Sequence, residues 1–149
     1  MPRETVAAKR ERAIEIARRM NAHYPKAECA LHYDGDPFRL VIAVLLSAQT
    51  TDKGVNKVTP ALWKRCPPPA VLASADVTDV EEIIRAIGFY RTKAANCVKC
   101  AQLVVSEYGG EIPRDIDELQ KLPGVGRKTA NVVLNEAFGI VEGIAVDTH

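Results

Sequence analysis

The residues best placed to do chemistry lie in one run, Leu119-Gln120-Lys121-Leu122-Pro123-Gly124-Val125-Gly126-Arg127-Lys128-Thr129. A short amphipathic segment enters Pro-Gly-Val-Gly and leaves as a second helical pattern, which predicts two helices joined by a hairpin of about four residues. Gly124 and Gly126 are expected to supply backbone angles that a Cβ resists, and their bare main chain lets another molecule come close. Amides at a helix N-terminus attract anions, and with Arg127 and Lys128 alongside, that anion is expected to be a phosphate.

The pattern Leu119-x-x-Leu122-x-Gly124-x-Gly126-x-x-x-Ala130-x-x-Val133 resembles the helix-hairpin-helix motif, which grips the nucleic-acid backbone without reading bases. Val146-Asp147-Thr148-His149 follows, with Asp147 standing 19 positions after Lys128. Together they resemble the endonuclease III family of the helix-hairpin-helix DNA glycosylase superfamily. Leu45 to Asp52 and Gly88-Phe89-Tyr90-Arg91-Thr92-Lys93-Ala94 are similar to further segments of that family.

The resemblance implies excision of oxidised pyrimidines from duplex DNA, followed by β-elimination at the abasic site through a lysine Schiff base. Lys128 is then the amine nucleophile and Asp147 the carboxylate that helps deprotonate it and stabilises charge on the sugar. A free lysine is protonated at neutral pH, so the site must favour the neutral amine; a nearby positive helix end and partial desolvation both push that way. Read from sequence alone, Asp147 is a helix cap and Lys128 a solvated or phosphate-contacting side chain.

By the same resemblance Gln49 fills the stack vacated by the damaged base. Phe89 stands where the family places an apolar wedge, commonly leucine. The expected DNA contacts are Gln49, Phe89, Leu122, Gly124, Val125, Gly126, Arg127 and Thr129. Without the resemblance, Gln49 is a polar loop residue and Phe89 a core aromatic. Arg91, Lys93 and Lys99 are expected at the surface, within reach of phosphates.

Two other readings remain open. A monofunctional glycosylase of the superfamily, such as the adenine-from-mismatch branch, would carry another residue in place of Lys128. A non-enzymatic helix-hairpin-helix module would need neither Asp147 nor the apolar helix described next.

The elements that must position these residues are helical, and no strand-like alternation competes. Forty-seven per cent of the 149 residues are hydrophobic and few are aromatic, enough for one sizeable core dominated by aliphatic side chains. Asp36 and Pro37 mark the start of a helix, Phe38 to Ser47, that is apolar on nearly every side and should be buried centrally. Thr50-Thr51-Asp52 starts the next, with Pro60 predicting a kink or break near Thr59. A short helix is expected over Ala70 to Ser74. Thr78 and Glu81, spaced as a capping box, open a helix that Gly88 closes after Ile87. A longer helix runs from about Thr92 to Tyr108, and Asp115 and Glu118 cap the first helix of the hairpin motif. Its second helix ends at Gly139. Near the N-terminus, Val6, Ala13, Ile14, Ala17 and Met20 mark one apolar side of a helix over about Arg3 to Met20, opposite a charged and solvated side.

The fold class predicted is all-α. The family resemblance implies a glycosylase-type helical barrel over residues 30–141 that contains the helix-hairpin-helix at about 115–138, with residues 1–29 and 142–149 as remnants of a second helical domain. Asp147-Thr148 reads as a helix start without its helix, so a C-terminally truncated chain is expected, and turnover by the chain as given is a separate question. The family implies a four-iron four-sulfur cluster, with ligands beyond His149. Cys29, Cys66, Cys97 and Cys100 match neither that set nor a zinc pattern, so no cofactor or metal is expected in this chain.

A net charge of +1 supplies no general basic field, so DNA binding must rest on where the charges sit. The longest apolar run, Leu40 to Leu46, is far short of the roughly 20 residues a membrane span requires. A cytoplasmic, DNA-associated monomer is expected, with double-stranded DNA carrying a damaged base or abasic site as its partner.

Overall fold

A computed structural model describes residues 4–147. Eight helices follow in order: α1 Val6–His23, α2 Pro37–Ser47, α3 Asp52–Arg65, α4 Pro69–Ala73, α5 Val77–Ile84, α6 Tyr90–Tyr108, α7 Ile116–Leu119 and α8 Arg127–Phe138. No strand occurs among the described residues, and none of their helices is long and apolar enough to cross a membrane.

Helix α2 is the centre of the molecule. Leu40, Val41, Ile42, Ala43 and Leu46 are fully buried, and α3, α6 and α8 all pack against this helix. Each such Leu or Ile contributes about 1.5–3 kcal/mol by leaving water. Its start is fixed as the sequence predicts. Asp34 and Gly35 take left-handed angles in the preceding turn, and the Asp36 carboxylate accepts from the amides of Phe38 (2.8 Å) and Arg39 (3.4 Å). Pro37 begins the helix, where its missing amide costs nothing. Around this core, α6 receives α4 and α5 on its flank, α3 meets α5, and α7 meets α8.

Four expectations need correction. Helix α3 continues unbroken through Pro60. That residue is exposed, so water can serve the carbonyl that a proline leaves without its amide partner, while Val58, Thr59, Leu62 and Trp63 hold the other face in the core. The cap of α5 is Asp76 rather than Thr78: its carboxylate accepts from the Thr78 amide (2.9 Å) and hydroxyl (2.8 Å). The helix ends at Ile84, before the predicted Ile87. Helix α6 starts at Tyr90, because Phe89 adopts a left-handed conformation and acts as its N-cap.

The fourth correction concerns α1. The amphipathic pattern does form a helix, capped by Thr5, but none of its residues is buried and Val6, Ile14 and Met20 lie open. Nothing among the described residues covers that apolar side. On the charged side, Glu15 pairs with Arg18 and Arg19, and Arg12 pairs with Glu4. The predicted start at Arg3 lies outside the described residues.

Candidate active site and nucleic-acid interface

The hairpin is built as its residue types require, with one refinement. Asp115 caps α7 by accepting from the amides of Asp117 (2.9 Å) and Glu118 (3.0 Å). Glu118 does not complete a capping box: it accepts from the Tyr108 hydroxyl (2.7 Å) and from Lys121 Nζ (2.6 Å), tying the motif to the end of α6. After Leu119 the chain makes a further tight turn in which the amides of Lys121 and Leu122 bond to Glu118 and Leu119. The reversal itself is Pro123 to Gly126, closed by the Val125 amide on the Leu122 carbonyl at 3.0 Å.

The two glycines do different work. Gly124 has φ +80°, and a Cβ there would lie 3.0 Å from Leu45 Cδ1 and 3.1 Å from its Cγ, so both angle and packing exclude a side chain. Gly126 has φ −89° and ψ 178°, extended backbone that any residue adopts, and contrary to expectation it needs no special angle. Its missing Cβ faces open space. Leu122 and Val125 are buried, so they can present only main chain to a ligand.

Gly126 is the N-cap of α8, and no side chain caps this end. The first helical bond is from the Ala130 amide to the Gly126 carbonyl, so the amides of Arg127, Lys128 and Thr129 have no partner within the helix. Together with the Arg127 guanidinium they form an exposed, positively polarised surface.

Lys128 sits in this first turn, and its Nζ donates to Asp147 Oδ2. Both side chains are about half exposed. The pairing is tertiary: after α8 the chain turns at Gly139 and returns along α8, passing so close that a Cβ on Gly143 would lie 3.3 Å from the Asn131 amide group. Asn131 is buried and lies one turn below Lys128, on the same side of the helix. The amine and carboxylate thus converge as their sequence separation alone could not dictate. Lys128 is partly desolvated, and Asp147 lies in a segment without regular secondary structure, not in a described helix. Thr148 and His149 lie outside the described residues.

Residues 42–149 match the family described as HhH-GPD superfamily base excision DNA repair protein. The chain belongs to the HhH-GPD superfamily. Among curated members, endonuclease III of Synechocystis sp. (strain ATCC 27184 / PCC 6803 / Kazusa) is 49% identical over 97% of this chain and 65% of its own length. Endonuclease III of Bacillus subtilis (strain 168) is 52% identical over 85% and 57%. The chain therefore spans somewhat under two thirds of the length of these relatives. A non-covalent endonuclease III–DNA complex superimposes with a TM-score of 0.85 at 48% identity, covering 93% of this chain and 64% of that one. A trapped endonuclease III–DNA covalent intermediate gives the same values.

Within the HhH-GPD chain the other site candidates fall around a second feature. A cavity of about 290 Å³ opens between Leu45, Ala48, Gln49, Phe89, Lys93 and Gly124, and neither Lys128 nor Asp147 lines it. Gln49 (φ +52°) and Phe89 (φ +56°) flank it, both left-handed although neither is glycine. Phe89 is 68% exposed, so it is not the core aromatic that its type alone suggests. Arg91 and Lys99 are exposed as expected. Lys93 is not: it is 5% exposed, its Nζ donates to Thr50 Oγ1 at 2.6 Å, and burial holds its ammonium below the ordinary lysine range. The register of α6 carried the signal, because Lys93 shares a face with Cys97, Cys100 and Val104.

The cysteines do not fit a metal or cluster. Cys97 and Cys100 lie in the core face of α6, where burial pushes Cys100 up to about 12 and Cys97 higher still, so both are held as thiols. No group of three or more His, Cys, Asp or Glu side chains among the described residues could hold a metal ion.

Proposed function

We propose that this chain carries the DNA grip and the reactive lysine of a base-excision repair glycosylase with abasic-site lyase activity, acting within the cell on oxidised pyrimidines in duplex DNA. The observation that carries the proposal is the Lys128–Asp147 pair, set in the first turn of an uncapped helix that follows a glycine hairpin.

In this reading a strand phosphate seats on the amides of Arg127 to Thr129, with Gly126 leaving room for it. That places a deoxyribose beside Lys128. Asp147 takes a proton from the ammonium, and the freed Nζ attacks C1′ as the C1′–N bond to the base breaks. The base leaves with the bonding pair and takes up a proton. Ring opening gives an iminium between Lys128 and C1′, an electron sink that allows loss of a C2′ proton and departure of the 3′ phosphate. Water then hydrolyses the iminium and returns the amine.

Gln49 and Phe89 enter the duplex where the damaged base has left. Residues 30–141 form the helical barrel, and 1–29 with 142–149 belong to a second unit; the uncovered apolar side of α1 accords with that division. The names of the endonuclease III relatives, one solved as a trapped covalent intermediate with DNA, support the same reading.

Borohydride reduction on abasic-site DNA tests it. A covalent adduct is expected with the native chain and none with Lys128→Ala. An adduct of native yield in a folded Lys128→Ala variant would overturn the assignment of the nucleophile. Duplex binding with no adduct from either protein would favour a module that only grips the backbone.

A further inference from the structure

We propose that Lys93 is a positioning residue that ties together the two turns bearing Gln49 and Phe89, so that both side chains enter DNA as one unit. The inference rests on the insertion role proposed above and adds to it a residue that touches neither base nor sugar.

Both turns hold a non-glycine residue in the left-handed region, a conformation that side chains with a Cβ resist unless the surroundings impose it. Lys93 reaches both. Its amide donates to the Phe89 carbonyl at 3.0 Å, closing the first turn of α6 over that residue. Its Nζ donates at 2.6 Å to the hydroxyl of Thr50, the residue directly after Gln49, whose own amide is fixed on the Ser47 carbonyl at 3.0 Å. Gln49, Phe89 and Lys93 all line the same cavity, so the tie runs along its wall.

Burying an ammonium against a neutral hydroxyl is a poor choice for stability, since an apolar chain of similar length would fill the space without the desolvation cost. What such a chain would lose is the bond to Thr50.

The test uses a duplex with an uncleavable tetrahydrofuran abasic analogue opposite 2-aminopurine, whose emission responds to a change in stacking. Lys93→Met and Thr50→Val are each expected to slow the emission change on binding about tenfold, the loss of one charge-assisted hydrogen bond. Thr50→Ser, which keeps the accepting oxygen, is expected to restore the native rate. The double variant should be no slower than either single one, because both remove the same bond. Affinity for undamaged duplex should not fall in either variant, nor should the melting temperature of Lys93→Met, which a purely structural lysine would lower; Thr50→Val, which leaves the buried ammonium without its acceptor, is expected to melt lower. Native insertion rates in both single variants, or a double variant slowed by the product of the two, would overturn the proposal. Should Lys93→Met fail to fold, the Thr50→Val and Thr50→Ser comparison decides. A native chain that gives neither an emission change nor a borohydride adduct refutes the proposed function itself; an adduct together with rates indifferent to Lys93 and Thr50 refutes only the tie.

Discussion

Substituting alanine at Gly124 and at Gly126 separates the fold of the hairpin from its use. At Gly124 the new Cβ meets two penalties. The backbone sits at φ +80°, which costs an L-residue about 1–2 kcal/mol. The methyl would also stand 3.0–3.1 Å from the buried Leu45 side chain, and overpacking of this kind costs roughly 1–3 kcal/mol. Because Leu45 can yield slightly, the expected total is about 2–4 kcal/mol, a fall in melting temperature of roughly 5–15 °C for a domain of this size. At Gly126 neither penalty exists: φ is −89° and nothing lies within 4 Å of the added Cβ. Gly126→Ala should therefore melt within about 2 °C of the native chain, or above it, because alanine restricts the unfolded state. Its duplex affinity should nonetheless drop, by about tenfold in a fluorescence-anisotropy titration at fixed salt, since the methyl occupies the approach to the free amides. Native affinity in Gly126→Ala would refute the contact of a strand with this helix end, and native melting of Gly124→Ala would refute the packing argument.

Asp147→Asn should slow base release about a hundredfold or more while duplex binding persists, measured by single-turnover excision beside a gel shift; equal loss of both would point to a purely structural carboxylate. Gly143→Val should also slow excision with little effect on melting, because its side chain would press on Asn131 and displace the segment that brings Asp147 to Lys128; native rates would show that segment to be tolerant. Asp36→Ala removes both amide acceptors at the start of α2 and should cost about 1 kcal/mol, or roughly 2–4 °C, in thermal melting. Cys97 and Cys100 stay protonated in the folded chain, whereas the unfolded chain ionises them from about pH 9, the ordinary thiol value being 9.0. The unfolded state then binds fewer protons, so stability falls as pH rises through 9, and the fall in urea titrations should be shallower in Cys97→Ala/Cys100→Ala. Equal slopes would contradict their burial.

Local chemistry made much of the molecule legible in the sequence. A helix over Pro37–Ser47 needs an Asp cap, a proline in its first turn and apolar residues on every side, all contiguous in the chain. The α7–hairpin–α8 unit is likewise specified by neighbours: an Asp cap, a Pro-Gly turn and a glycine end. Where the sequence misled, a distant partner or the solvent decided. Pro60 could be accommodated because it faces water. Glu118 left its capping box for Tyr108 and Lys121, one of them in another helix. Lys93 could be told from a surface lysine only by the register of α6, and its partner Thr50 lies in a separate loop.

By itself the sequence determined most of the helices, the glycine hairpin at Pro123 to Gly126 and the identity of the two groups proposed to act on a sugar, because each depends on residue type and short-range spacing. Only the tertiary structure decided that Lys128 and Asp147 meet, since that depends on how the segment after Gly139 returns along α8. It also decided that Gly126 needs no special backbone angle and faces open space, and that Gln49 and Phe89 flank one cavity lined by a buried lysine. Helix formation is governed by bonds four residues apart, whereas the meeting of side chains from different elements is set by the packing of the whole core.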